Sequence, residues 1–269
     1  MHLKRWITAI VAIPVLVLLI VKGPPEVFAG LIALIAILSM WEYFYIVSGG
    51  NKTGMLKPIP FAGAAVGLLV IAAALYGAFS VMFLLVFASL GIGALLSMPA
   101  YRSGPRIVET VARQVQGVVY IPLALATLVL LRSRPDGLTW IFFVLFVVFL
   151  GDVAAFYVGT YLGRHKLSPA ISPGKTVEGA LGGLAVNIVV AMVFKILLLP
   201  ELAGGLVVVF ALALGTAGQI GDLFESELKR AAGIKDSGAI LPGHGGMLDR
   251  VDALIFAAPV AYAFNMFIF

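Results

Sequence analysis

Long, almost uninterrupted apolar runs fill the chain, and short polar segments separate them. Because these runs do not alternate apolar and polar residues, they predict membrane-spanning helices and not the strands of a transmembrane barrel. One run of about 40 residues is too long for a single crossing of about 20 residues, and we divide it near Tyr76-Gly77. The predicted spans are Trp6–Val21, Val27–Val47, Ile59–Gly77, Ser80–Met98, Gln114–Leu131, Thr139–Leu162, Thr176–Leu199, Gly205–Phe224 and Val251–Phe269.

Composition agrees with an all-α, polytopic integral membrane protein of about nine transmembrane helices. Of the 269 residues, 62% are hydrophobic and only 12% are charged, about half the share of an ordinary soluble domain. So few charged side chains cannot cover a soluble fold, which excludes a soluble enzyme, a disordered chain and a coiled coil. We assign residues 1–135 to about five N-terminal helices, and residues 136–269 to a C-terminal catalytic region of about four helices with two cytoplasmic loops.

The basic residues predict the orientation of these spans. With the N-terminus in the cytoplasm and the C-terminus outside, 14 of the 18 Lys and Arg residues lie on the cytoplasmic side, as the positive-inside rule requires. The net charge of +5 then belongs to loops that face anionic lipid and not to a nucleic-acid site. We expect a multi-pass protein of the cell's inner (plasma) membrane whose active site faces the cytoplasm.

The first span has an alternative interpretation. Lys4-Arg5 followed by an apolar stretch is also typical of a secretory signal peptide. No small-x-small cleavage pattern follows, and Gly23-Pro24-Pro25 predicts a turn. We therefore favour an uncleaved first span.

Acidic residues in or beside the spans are the first candidates for chemistry, because an ionisable group inside a membrane is costly. Asp152 lies within the sixth span, where it forms either a functional group or a structural ion pair. By topology, Glu178, Asp222, Asp249 and Asp252 lie at a similar depth near the cytoplasmic face. Acids gathered at one depth repel each other unless a cation lies among them, and carboxylates with substrate phosphates are typical Mg²⁺ ligands. The alternative for the last pair is capping of a helix N-terminus by acids.

Two other polar side chains lie in spans. Glu42 stands among aromatic residues near the inner end of the second span, and we interpret it as snorkelling to the interface. Asn187 follows Glu178 on the seventh span, and we place it with Asp152 along the deeper wall of a polar cavity.

The loop Gly163–Lys175 leads into the seventh span with Gly174-Lys175-Thr176. A P-loop needs a Gly five positions before the second Gly, and Pro169 stands there, so that interpretation fails. A turn that delivers Lys and Thr to a helix N-terminus still favours an anion. The alternative is an ordinary basic cytoplasmic loop.

The loop Glu225–Arg250 carries four basic residues, one His and the pair Gly245-Gly246 just before Asp249 and Asp252. Adjacent glycines let backbone amides approach an anion closely. Phosphoryl chemistry needs basic groups for the phosphates and acids for the metal that bridges them. The loop therefore predicts a phosphate-and-metal site.

A longer motif runs through this loop and resembles the signature of the phosphatidate cytidylyltransferase (CDP-diacylglycerol synthase) family. The upstream stretch Ser172–Gly179 and the count of nine helices are also similar to that family. The resemblance covers most of the C-terminal half. The motif reads Ser226-x-Leu228-Lys229-Arg230, four residues, Lys235-Asp236-x-Gly238, two residues, Leu241-Pro242-x-His244-Gly245-Gly246-Met247-x-Asp249-Arg250-Val251-Asp252.

The resemblance implies that the chain makes CDP-diacylglycerol and pyrophosphate from CTP and phosphatidic acid in phospholipid biosynthesis. It implies Mg²⁺, with or without a second cation, and a lipid bilayer as partner, and a homodimer is one option. The expected catalytic residues are Asp249, Asp222, Lys229, Arg250 and His244. The expected substrate-binding residues are Ser172, Lys175, Thr176, Glu178, Asn187, Ser226, Arg230, Lys235, Asp236, Gly245 and Gly246. The expected metal ligands are Asp222, Asp249, Asp252 and Asp152.

Two rival functions remain open. A polyprenol or dolichol kinase-like enzyme would keep CTP and change the lipid acceptor, although the uninterrupted signature argues against it. An ion-coupled transporter would use Asp152, Asp222 and Asp252 as a cation relay. Transporters usually contain inverted repeats, and we find no repeat at a fixed period in this sequence.

Overall fold

The structure is a computed structural model that describes residues 14–51, 58–99, 107–238 and 245–268. Helical residues 14–22 form α1. The later elements are α2 (Pro25–Val47), α3 (Pro58–Leu75), α4 (Phe79–Ser97), α5 (Ile107–Val118), a π-helical segment (Val119–Leu123), α6 (Ala124–Arg132), α7 (Gly137–Leu162), β1 (Lys166–Ser168), β2 (Ser172–Thr176), α8 (Val177–Leu197), α9 (Gly204–Ala231) and α10 (Leu248–Ile268).

The helical, polytopic architecture is confirmed. Within the described residues, 8 helical segments are long and apolar enough to cross a membrane, with α5, the π segment and α6 forming one of them. Most of the predicted span Trp6–Val21 lies outside the described residues, so the count of nine and the orientation of the termini stay predictions. The predicted break near Tyr76-Gly77 is confirmed, because Gly77 adopts a φ of 63° between α3 and α4.

Several boundaries differ from the prediction, for example α5, which begins at Ile107 and not at Gln114. Two of the differences concern the polar loops. Helix α9 continues to Ala231, beyond the predicted end at Phe224. The loop after α7 is not irregular but forms the antiparallel hairpin β1–β2, with Lys166 opposite Thr176 and Ser168 opposite Ser172. Both differences move polar residues from predicted loops into regular structure.

The chain divides into two compact units. Unit 1 comprises Met1–Ser133 and Ala231–Arg250, and unit 2 comprises Arg134–Arg230 and Val251–Phe269. The sequence predicts a division near residue 135 but gives no sign that residues 231–250 belong with the N-terminal helices.

Tyr43 of α2 lies at the centre of unit 1. Its ring is fully buried, and its hydroxyl lies 3.1 Å from the carbonyl oxygen of Arg113 and 3.0 Å from Oε1 of Gln116 on α5. The ring also packs edge-on against Tyr120 of the π segment. A buried hydroxyl needs such partners, so Tyr43 fixes α2 against the long helical segment that follows α4.

The π segment surrounds Pro122, which lacks a backbone N–H and interrupts the regular helical ladder. Helix α3 approaches this point closely at Gly67, where an added Cβ would lie 2.9 Å from Cγ of Pro122. The widened turn and the missing side chain together let α3 pack against the interrupted helix.

Aromatic side chains hold one end of unit 2 together. Phe143 of α7 stacks on Phe194 of α8 at 4.9 Å between ring centroids, and Phe210 of α9 stacks on Phe264 of α10 at 4.3 Å. Trp140 is fully buried and contacts Phe143, Phe210 and Phe264. Because these helices alternate in direction, the opposite end of unit 2 carries the end of α7, the hairpin, the end of α9 and the start of α10.

Helices α7 and α8 approach through small residues, a common means of close packing in membranes. A Cβ added to Gly179 would lie 2.6 Å from the carbonyl oxygen of Ala155 and 3.0 Å from Cα of Gly159.

We expect Gly179→Ala to lower the free energy of unfolding in detergent by about 1–3 kcal/mol, because backbone atoms must separate. Thermal unfolding measures this, with Gly91→Ala as control, since open space surrounds Gly91 on α4. Equal stability of the two variants would contradict the close approach.

Candidate active site

Three carboxyl groups converge at the end of unit 2 that carries the hairpin. One ligand oxygen from each of Asp222, Glu225 and Asp252 lies within 4.8 Å of the other two. Asp222 and Glu225 are three residues apart on α9 and share a helix face, while Asp252 comes from α10. Helix α10 reaches this position because Gly221 has no side chain that would collide with the carbonyl oxygen of Asp252.

Two lysines pair with these acids. Nζ of Lys175, the residue before the last of β2, lies 2.7 Å from Oδ2 of Asp222. Nζ of Lys229 lies 2.6 Å from Oε2 of Glu225, and the Glu225 side chain is only 1% exposed. The pairs hold both ammonium groups beside the carboxyl cluster.

Asp152 of α7 belongs to the same group. Its charge interacts with those of Asp222 and Lys175, and the charge of Asp252 interacts with those of Asp222, Asp152 and Lys229. Four carboxyl groups are therefore coupled electrostatically to two ammonium groups, and an added cation would balance the excess of acid. All the acidic ligand atoms are hard oxygens, which suit Mg²⁺ and not a soft metal.

Hydrogen bonds join the hairpin to the start of α8 and to the residues that follow α7, and these bonds position Lys175. Thr176 caps α8 by accepting a hydrogen bond from the Gly179 N–H at 3.1 Å. Glu178 accepts from the backbone N–H groups of Arg164 at 3.0 Å and His165 at 3.1 Å, and lies 2.6 Å from the His165 ring. These contacts close the base of the hairpin.

Arg230, at the end of α9, reaches the tip of the hairpin. Its Nε donates to the carbonyl oxygen of Ile171 at 3.3 Å. Ser172 follows Ile171 at the start of β2 and is half-buried, as is Ser226 on α9. Five of the predicted substrate-binding residues therefore lie on the hairpin or on α9, which contacts it: Ser172, Lys175, Thr176, Ser226 and Arg230.

Asn187 lies deeper in unit 2, where three helices meet. It is 2% exposed on α8, and a Cβ added to Gly151 of α7 or to Gly215 of α9 would collide with its amide group. The neighbouring Gln219 donates to the carbonyl oxygen of Ala180 at 2.9 Å, which joins α9 to α8. The prediction that Asn187 contacts substrate remains a prediction.

The rest of the predicted site lies in unit 1. Oδ2 of Asp249 accepts hydrogen bonds from the backbone N–H of Ser237 at 3.3 Å, the Ser237 hydroxyl at 2.9 Å and the Gly246 N–H at 3.0 Å. The sequence predicts that the Gly246 N–H approaches a bound anion. In the structure this N–H donates to the carboxylate of Asp249. Gly245 adopts a φ of 82° at this turn. Lys235, Asp236 and Arg250 are exposed, and His244 lies outside the described residues.

Two acids were missed or misinterpreted from sequence. The prediction that Glu225 begins a loop is wrong, because Glu225 lies within α9 at helical spacing from Asp222 and Lys229. The prediction that Glu42 snorkels to the interface is wrong, because its side chain is 2% exposed and accepts hydrogen bonds inside unit 1. The helical spacing could have revealed Glu225, whereas no local pattern reveals the partners of Glu42.

Comparison with known proteins gives consistent matches. Residues 3–268 match the model of the cytidylyltransferase family. A phosphatidate cytidylyltransferase of Staphylococcus aureus (strain COL) is 31% identical over 261 residues, which cover 95% of this chain and 96% of that protein. Those of Staphylococcus saprophyticus and Bacillus subtilis are 47% identical over 131 residues and 42% identical over 145 residues. These two matches span 50% and 54% of the relatives' length.

Proposed function

This chain belongs to the cytidylyltransferase family, as the resemblance of its signature predicts, and from that premise we propose that it is a phosphatidate cytidylyltransferase. It is a nucleotidyltransferase enzyme with several membrane-spanning helices. The proposed reaction converts CTP and phosphatidic acid into CDP-diacylglycerol and pyrophosphate. The observation that carries the proposal is the cluster of Asp222, Glu225 and Asp252 with its two paired lysines.

The chemistry is a displacement at phosphorus. An oxygen of the lipid phosphate forms a bond to the α-phosphorus of CTP, and the bond from that phosphorus to the α–β bridging oxygen breaks, so pyrophosphate leaves. A phosphate monoester has a second pKa of about 6, so the nucleophile is largely ionised near neutral pH and needs no strong general base. The protein must instead offset charge and hold both phosphates in line.

In this proposal the acidic residues bind the metal and the basic residues bind the phosphates. Asp222, Glu225 and Asp252 would hold Mg²⁺, with Asp152 as a further proposed ligand. The metal-ligand role predicted for Asp249 from the sequence stays a prediction. When bound, the ion neutralises negative charge on the triphosphate and aligns it. Lys175 and Lys229, kept in place by their acidic partners, bind phosphate oxygens, and Arg230 adds a guanidinium at the hairpin.

The proposed location follows from the lipid substrate. The acyl chains remain in the bilayer while the headgroup enters from the cytoplasmic side of the inner membrane. CTP is a cytoplasmic metabolite, and the hairpin and the loop Glu225–Arg250, which we call the signature loop, carry the basic groups that attract it. We propose that Asp152 and Asn187 line the deeper wall of the cavity that the headgroup enters.

Purified protein with phosphatidic acid and Mg²⁺ tests this function, with CTP labelled in separate reactions on the α- or the γ-phosphate. We expect the α-label in the lipid, the γ-label in pyrophosphate, and equal amounts of the two products. In a parallel reaction with a polyprenol in place of phosphatidic acid, transfer of the γ-label to that lipid would instead indicate a lipid kinase. Absence of labelled lipid and of pyrophosphate would overturn the proposal.

A further inference from the structure

Glu42 is a buried acid that the proposed chemistry does not use. It lies on α2 in unit 1, with a side chain 2% exposed. A buried carboxylate is costly unless several hydrogen bonds satisfy it. Its partners therefore indicate what the residue does.

All the partners of Glu42 in the described hydrogen bonds come from the signature loop. Oε1 accepts from the Met247 N–H at 3.0 Å, and Oε2 accepts from the Leu248 N–H at 2.7 Å and the Ser237 hydroxyl at 3.1 Å. Leu248 is the first residue of α10. The N–H groups at a helix start lack partners within the helix, so Glu42 caps α10 from a different helix.

Two glycines of the loop leave space for the carboxylate of Glu42. A Cβ added to Gly238 would lie 2.5 Å from Oε1 of Glu42, and one added to Gly246 would lie 2.5 Å from Oε2. Only residues without a side chain allow the two segments of the loop to close around the acid. Both glycines belong to the signature motif.

Ser237 joins Glu42 to Asp249. Its hydroxyl lies 3.1 Å from Oε2 of Glu42 and 2.9 Å from Oδ2 of Asp249. A hydroxyl has one proton to donate, so it serves one carboxylate at a time and couples the positions of both. Through this link and through the first turn of α10, Glu42 acts on Asp249 and Arg250.

We propose that Glu42 is a positioning residue, which holds the signature loop and the start of α10 so that Asp249 and Arg250 are placed for the reaction. The catalytic purpose of this placement rests on the proposed function. The hydrogen bonds themselves do not depend on it.

Glu42→Gln keeps the volume of the side chain but turns one acceptor oxygen into an NH₂ group that faces N–H donors. We expect kcat to fall about 100-fold, the size of effect that a misplacement of about 1 Å produces, while KM for CTP stays within about threefold. Steady-state kinetics on protein that elutes as a single species measures both constants. Glu26→Gln is the matched control, because Glu26 is exposed in the first turn of the same helix.

A second readout does not need activity. The chain has no cysteine, so Leu248→Cys introduces a single thiol at a fully buried position. Labelling of that thiol by a maleimide requires local opening of the loop. Glu42→Gln should raise the labelling rate at least about tenfold, and Glu26→Gln should leave it unchanged.

The outcomes separate the two proposals. If the parent protein makes no CDP-diacylglycerol, the function fails while the labelling result still decides on Glu42. Folded Glu42→Gln protein with parental kcat and labelling would overturn the positioning role, since it would make Glu42 a stabilising residue only. If Glu42→Gln does not fold, Ser237→Ala decides: we expect kcat to fall about tenfold, and an unchanged kcat would overturn the inference.

Discussion

Asp222→Asn should lower turnover by about 10³-fold or more. The substitution removes one charge from the carboxyl cluster and breaks the pair with Lys175, whose Nζ lies 2.7 Å from the acid. Metal ligation stabilises transition-state charge by several kcal/mol, and about 1.4 kcal/mol corresponds to tenfold in rate. The product assay with α-labelled CTP measures the loss.

Binding of the metal provides a second measurement on the same variant. Mn²⁺ binding followed by electron paramagnetic resonance, without substrate, should weaken together with turnover. Glu227→Gln is the matched control, because Glu227 is exposed on the same helix. Near-parental turnover in Asp222→Asn with an unchanged need for Mg²⁺ would remove Asp222 from the proposed metal site.

Asp249→Asn should also abolish measurable turnover, with a loss of about 10³-fold. Asn keeps a carbonyl oxygen that can accept from Ser237 and Gly246, as Oδ2 of Asp249 does. The loop therefore stays ordered and only the charge is lost. Turnover and thermal unfolding of the variant, measured side by side, separate chemistry from folding.

Asp249→Ala completes that test, because it removes the acceptor as well as the charge. If Asn at this position retained near-parental activity while Ala did not, Asp249 would only order the loop, and its assignment as a metal ligand would be wrong. If both lose activity and only Ala also destabilises the protein, the charge itself is required.

The sequence predicts the helical architecture well, because apolar length decides it. Gly77 marks the break between α3 and α4 correctly, since a φ of 63° suits glycine. The end of α9 was misplaced, because the helix continues through polar residues after its apolar part ends at Phe224. The hairpin was missed because its strands are only 3 and 5 residues long, too short for a periodic pattern.

The sequence predicts those features of the candidate site that follow from the alternating direction of the spans. Spans that alternate in direction place Asp222 and Asp252 at one depth, and both do lie in the carboxyl cluster. The partners of Glu42 were not predictable, since Ser237 is 195 residues away in the sequence. Contacts of that separation depend on which helices pack together, and no local pattern encodes this.

The same separation has a consequence for how the protein is made. Helix α2 leaves the ribosome long before Ser237, Met247 and Leu248 exist to donate to Glu42. At about 5–20 residues per second, the delay is roughly 10–40 s. During that interval an acid stands in a newly inserted apolar helix, in an environment where ionisable groups are costly. Synthesis of α10 ends this exposure, so the environment of α2 is complete only after α10 has been made.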